Sequence, residues 1–323
     1  MKRLALGVSL AALMAAPVGA TELVGASQFN EDHAFTKAMR EFERVASECS
    51  GGSLTFDLHL NSELGLEKDY FENMSQGIAV DYAIVSPSHM STFSQQAPLM
   101  DMPFLFRDLD HWNKVLDSDA MQPLADDVLE KANVRIIGYS GGGTRNMIVN
   151  KPITNMAELA GLPIRVMGAP IQIQIFEAIT AAPSVIAYAE VYNAIQTGVI
   201  DAAENEAAGL EQMKFYEVGP HISLTNHAIT VRPLAIAEAT FQRLTEAEQA
   251  CIIEAGRIGG KLGREVESTE DAQKLKSMED AGLLTTHVFT ERDQLLELAA
   301  PVKRAYAEEL GATAVLDAIE AVQ

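Results

Sequence analysis

Arg145 and Arg165 are the side chains best placed to do chemistry in this chain, and the chemistry they suit is capture of an anion. Arg145 follows three glycines in the segment Ser140–Asn146, and Arg165 lies in the short apolar run Gly161–Val166. A guanidinium in such a run is costly unless a carboxylate or another planar anion meets its fork of N–H donors. The chain carries 45 Asp and Glu against 24 Lys and Arg, a formal net charge of −21. Two arginines in glycine-rich and strand-like surroundings therefore oppose the general field, and a bound organic acid is the ligand they fit.

Other polar residues could join them. Gln28 and His33 follow the first predicted strand, on the side of the sheet where open α/β folds bind ligands. His33 can equally cap the helix it precedes or face solvent. Asn205 ends an apolar strand, where it is either a site residue or a helix cap. Catalytic constellations are missing: Gly138–Gly142 has the Gly-x-Ser-x-Gly spacing, but the 7 histidines form no recognisable group that would supply its base. No CxxC, HExxH or cluster at metal-ligand spacing occurs, so neither a metal nor another cofactor is expected. So acidic a surface repels nucleic acid and anionic lipid headgroups.

The elements that must position these residues read as strand–helix alternation. Met1-Lys2-Arg3, the apolar stretch Leu4–Ala16 and the small residues before Thr21 have the form of a secretory leader over residues 1–20. No later segment approaches the roughly 18 to 20 apolar residues of a membrane-spanning helix, so an exported chain without membrane insertion is expected. Strands are predicted at Leu23–Ser27, Ser53–Leu60, Val80–Val85, Val134–Tyr139, Thr144–Asn150, Ile164–Met167, Val199–Ala203 and Leu284–Phe289. Helical periodicity fills the intervals, and one charged helix runs from Thr245 to about Ala281. Gly141–Gly143 breaks the pattern; lacking the P-loop spacing and its Lys-Ser/Thr pair, it reads as a flexible crossover. The length favours two α/β lobes, the first built on a mostly parallel sheet. Cys49 and Cys251 lie in separate helical patterns; nothing in the sequence decides whether they meet, and unpaired is the default reading.

With these elements in place, the chain resembles the extracytoplasmic substrate-binding proteins of tripartite ATP-independent periplasmic (TRAP) transporters, the dicarboxylate-binding-protein-like family. The likeness rests on Glu63–Gly65, Gly143–Arg145, Leu162–Arg165, Tyr188–Gly198, Asp201–Asn205, Lys214–Val218 and Thr225–His227, in that order and at those spacings. It implies a two-lobed periplasmic binding protein fold of α/β class, with the ligand cleft between the lobes and a long helix spanning both. The lobes would comprise 21–142 with about 231–270, and 143–230 with about 271–323. It further implies that Arg165 pairs with the ligand carboxylate, that Arg145 assists from the side, and that Asn205 donates to the same carboxylate.

Tyr188 falls where such proteins set an aromatic ring against the ligand, although a lone Tyr there is also an ordinary core residue. Glu67 lies where a polar side chain of the first lobe reaches the distal end, Ser86 ends the third strand at the same rim, and Glu204 is placed to steady an arginine. One departure is Glu206, where many relatives carry proline; it sets another carboxylate beside a site meant for anions. The implied function is periplasmic delivery of an organic acid, best a uronate or aldonate, to TRAP membrane permease subunits. An exported enzyme acting on acidic metabolites, a sensor that presents its ligand to a receptor kinase, and the binding protein of an ATP-driven importer are the alternatives.

Overall fold

The computed structural model describes residues 20–323, so the leader read at residues 1–20 lies, but for Ala20, outside them. The first third alternates as expected: β1 (Thr21–Ala26), α1 (Ala34–Cys49), β2 (Leu54–His59), α2 (Glu67–Gln76), β3 (Tyr82–Ile84), α3 (Leu109–Asp117) and α4 (Gln122–Ala132). β1 pairs in parallel with both β2 and β3. Short-range chemistry sets the helix ends. The Asp69 carboxylate accepts the Leu66 N–H at 2.9 Å, and Gly77 closes α2 in the left-handed conformation at φ 67°.

The centre departs from expectation. Gly141–Gly143 is no crossover loop but lies inside a 16-residue strand, β4 (Val134–Val149). β4 runs antiparallel to a 17-residue strand, β8 (His221–Ala237), that the periodicity did not reveal. Three glycines carry no side chains to alternate, and β8 is buried on both faces through most of its second half, so a period of two is absent from both. The register slips between Gly141 and Thr144, and Thr230 Oγ1 accepts the freed N–H groups of Gly142 and Gly143 at 2.9 and 3.0 Å.

These two strands fuse what would be two sheets into one. Between them in sequence come α5 (Met156–Leu159), β5 (Pro163–Val166), α6 (Pro170–Ala178), β6 (Ala182–Val185), α7 (Val191–Gln196), β7 (Ala202–Asn205) and α8 (Ala207–Gln212). After them follow α9 (Glu238–Arg243), α10 (Glu246–Asp280), β9 (Thr285–Val288), α11 (Arg292–Glu309) and α12 (Thr313–Ala321). The sheet order is β2-β1-β3-β8-β4-β7-β5-β6, with β9 beside β8. β6 also escaped the sequence reading: four residues containing a proline give too short a pattern to register.

α10 is the long helix expected, 35 residues started by a Thr245–Glu248 capping box. It lies on β4 and α1 at backbone contact. A Cβ on Gly260 would come within 2.7 Å of the Tyr139 backbone, and one on Gly259 within 2.6 Å of the Ala38 carbonyl. The tertiary structure also settles the cysteines: Cys49 ends α1, Cys251 lies near the start of α10, and they are bridged with Cα atoms 5.6 Å apart. The unpaired default was wrong because the packing of α1 on α10 is not a local property. The bridge closes a loop with a sequence separation of 202. Replacing both cysteines by alanine should lower unfolding stability by about 2–5 kcal/mol, measured by urea denaturation under non-reducing conditions.

Candidate ligand-binding site

The expected arginines meet in one cavity, Arg145 from within β4 and Arg165 near the end of β5. Arg145 from β4, Arg165 from β5 and Asn205 from β7 line a small cavity with Gln28, Phe29, Glu67, His89, Met167, Tyr188, Glu206 and Arg232. A wider cleft of about 340 Å³ adjoins it, sharing Gln28, Glu67, His89, Arg165 and Tyr188. Gln28, Met167 and Asn205 stand at the carboxyl ends of β1, β5 and β7, where open α/β sheets hold ligands.

The two arginines are in different electrical states. Arg145 is met on every side: Nη2 donates to the Glu204 carboxylate at 2.8 Å and to the Glu204 carbonyl at 2.9 Å, Nε donates to Glu204, and Nη1 donates to Glu206. Burial acts against the charge on Glu204, yet Arg145 and then His227 outweigh it and hold the carboxyl well below its usual range. Glu204 thus braces Arg145, and Glu206 adds a second carboxylate.

Arg165 is met only by a carbonyl. Its Nε donates to Ile186 O at 3.0 Å, and its guanidinium lies 5.8 Å from the centre of the Tyr188 ring. Among the described residues no carboxylate lies within ion-pair distance of it, and neither Nη has a hydrogen-bond partner. Burial depresses its pKa, opposed by Glu204 and reinforced by Arg145. Beside it, Asn205 Nδ2 donates to the Tyr188 hydroxyl at 3.1 Å, leaving the amide oxygen uncommitted. Gly209 makes room for this pair: a Cβ there would fall 2.2 Å from Asn205 Nδ2.

The first-lobe residues are arranged differently from expectation. Glu67 lines the cavity, but its oxygens are occupied, accepting from Ser86 N at 2.7 Å, His89 Nδ1 at 2.9 Å and Gln28 Nε2 at 3.3 Å. Burial works to raise its pKa, but Arg232, His89 and the Ser86 N–H lower it to about 2. It is a brace for the residues around it. Ser86 is not among the lining residues, because its hydroxyl turns to Asp101 at 2.8 Å.

His33 is also off the cavity. Its Nδ1 caps α1 by accepting the Phe35 N–H at 3.2 Å, and its ring packs on Phe29 and Phe35. Complete burial lowers its pKa to about 3. His89, Met167, Phe29 and Arg232 were not singled out in the sequence. Arg232 carried a usable signal, a guanidinium in the apolar run Val231–Ala237, the same anomaly that marked Arg165.

Beneath the site, α10 brings a second acidic layer. Asp271 accepts the N–H of Ala207 at 2.9 Å and of Thr144 at 3.0 Å, tying α8 and the β4 bulge to the long helix. Burial pushes its carboxyl up to about 6 against an ordinary 3.8. The folded chain then holds this proton more tightly than the unfolded chain. The stabilisation is complete below about pH 4 and is lost as pH rises through about 6, on the order of 3 kcal/mol in all. Asp271→Asn should lack this slope, so the difference in urea-unfolding stability between wild type and variant should fall by on the order of 3 kcal/mol between pH 4 and 7.

The fold and the cavity define a two-lobed protein that takes a small anionic ligand between strand ends. The chain belongs to the bacterial extracellular solute-binding proteins, family 7, whose model matches residues 25–309. These are periplasmic binding proteins of TRAP transporters, a family that binds small organic acids and works with membrane components, and is not an enzyme family. A solute-binding protein of Sulfitobacter sp. (strain NAS-14.1) is 56% identical over 301 residues, 93% of this chain and 91% of that protein. A crystal structure of a TRAP periplasmic solute-binding protein from Sulfitobacter sp. NAS-14.1 with bound α-D-taluronate superposes with TM-score 0.92 at 56% identity, covering 93% of this chain and 97% of that one. One from Roseobacter denitrificans OCh 114 with bound L-galactonate superposes with TM-score 0.85 at 26% identity, covering 93% and 98%. Among the described residues no helix is long and apolar enough to cross a membrane.

Proposed function

We propose that this protein captures a sugar acid, a uronate or aldonate, in the periplasm and delivers it to the membrane permease of a TRAP transporter. The observation that carries the reading is Arg165, a buried guanidinium with both Nη nitrogens uncommitted and facing a polar cavity. A ligand carboxylate supplies the planar anion this group lacks, and Asn205 and Tyr188 flank it. The remaining wall is polar, with Gln28, His89 and Arg232, and a bare apolar acid would leave those groups unpaired. The adjoining cleft, about 340 Å³, falls within the roughly 300–1,000 Å³ of small-molecule sites, which suits one monosaccharide acid. Solved relatives with bound taluronate and galactonate support the same class.

Binding works here without bond-making. The carboxylate desolvates Arg165 and links the strand ends of both lobes, so the closed cleft is the state that ligand stabilises and the permease engages. The lobes divide at residues 142/143 and 230/231 in this reading, supported by the register slip of β4 against β8 at that level. Isothermal titration of the mature protein against uronates, aldonates, C4-dicarboxylates, keto acids and sulfonates tests it. Tight binding of a uronate or aldonate with no turnover is expected; binding only of C4-dicarboxylates, keto acids or sulfonates overturns it.

A further inference from the structure

We infer that Arg232 is a second ligand-binding guanidinium, one that donates to the hydroxyl and ring oxygens of the acid at the end away from its carboxylate. The inference rests on the sugar-acid reading above and names the residue that makes the site select a hydroxylated acid. Arg232 is 5% exposed and lines the cavity. Among the described residues it forms no ion pair and no hydrogen bond, and its Nε is buried without a partner. The Phe35 ring lies 5.3 Å from the guanidinium carbon. A buried guanidinium with no acceptor is costly to retain, which points to an acceptor that arrives with the ligand.

Position assigns it the distal end. Arg165 stands on β5 against Ile186 and Tyr188, whereas Arg232 stands on β8, opposite Ser140 of β4, against Phe35 of α1. The two guanidiniums therefore approach from separate walls. Charge argues for hydroxyls over a second carboxylate. Arg145, Arg165 and Arg232 face Glu67, Glu204 and Glu206, three cations against three carboxylates. A monoacid leaves one excess negative charge in this desolvated space; a diacid leaves two. The neighbouring Glu67 cannot serve as the ligand's main partner because Ser86, His89 and Gln28 already occupy it.

Calorimetry of wild type, Arg232→Met, Arg232→Lys and Arg165→Ala with D-taluronate, D-glucuronate, L-galactonate and the diacid galactarate tests the assignment, together with the unliganded melting temperature of each variant. Arg232→Met should weaken the best sugar acid by about 30-fold or more, since both the donors and their desolvated partners are lost. Its unliganded melting temperature should fall only modestly, because Glu67 loses the charge that most offsets its burial while no hydrogen bond is broken. Arg232→Lys should lose roughly tenfold, keeping charge without the fork. Affinity of Arg232→Met within about threefold of wild type, or a lowered unliganded melting temperature with unchanged affinity, overturns the role. Tighter wild-type binding of galactarate than of any monoacid overturns the hydroxyl assignment. Failure of wild type to bind any of these acids sinks the sugar-acid reading itself, a result distinct from the other two.

Discussion

Arg165→Ala should yield a protein that folds and holds no acid. The loss of a desolvated guanidinium that pairs with a ligand carboxylate costs about 3–5 kcal/mol of binding, roughly two to four orders of magnitude in affinity. Folding should change little, because in the unliganded chain Arg165 gives up a single hydrogen bond, to Ile186 O, worth about 1 kcal/mol. Removing an unpaired buried charge offsets part of that. Arg165→Lys should also bind poorly, since an ammonium cannot present two parallel donors to a carboxylate. Titration calorimetry and thermal melts on the same samples decide it. Affinity within a factor of a few of wild type in Arg165→Ala would remove the carboxylate clamp from its place in the mechanism.

Arg145→Ala is expected to fail in the opposite way. Here the guanidinium is the partner of two carboxylates that are each 1% exposed, and its removal leaves Glu204 with His227 alone and strands Glu206. Breaking a buried ion pair from one side costs about 3–5 kcal/mol, a large part of the roughly 5–15 kcal/mol that holds a typical domain. Without Arg145 the burial of Glu204 loses its main opponent, so its carboxyl moves up from its depressed range. The variant's deficit should therefore shrink as pH falls and Glu204 takes up a proton. Urea denaturation of wild type and Arg145→Ala at pH 7.5 and pH 5 measures this. Equal stability at pH 7.5 would show that Glu204 and Glu206 find other partners, and that Arg145 is free for ligand in the way the family resemblance implied.

The contrast between the two arginines explains what could be read in one dimension. Both were legible as anomalies, cations placed among glycines or aliphatic residues in an acidic chain. Their roles were not, because role depends on which carboxylate lies within about 3 Å across the sheet. The β4–β7 pairing sets Met147 opposite Glu204 and Asn146 opposite Asn205, which brings Glu204 to Arg145 and leaves Arg165 alone. Likewise Glu67 was found as a polar group near the cleft, while its use as a brace depends on Ser86, His89 and Gln28 converging on it. His33 was read as either a site residue or a cap, and the cap is what α1 required.

Helices, the parallel strands of the first lobe and the anion-seeking character of Arg165 were determined by the sequence itself. Each rests on local physics: a 3.6-residue apolar repeat, an alternating run, a guanidinium without local neutralisation. Only the tertiary structure decided that β4 and β8 join both lobes in one sheet, that Cys49 meets Cys251, and that Arg232 enters the cavity unpaired. Those outcomes are set by contacts between residues far apart in the chain, where pairing, burial and charge compensation depend on distance in space and leave no periodic trace along it.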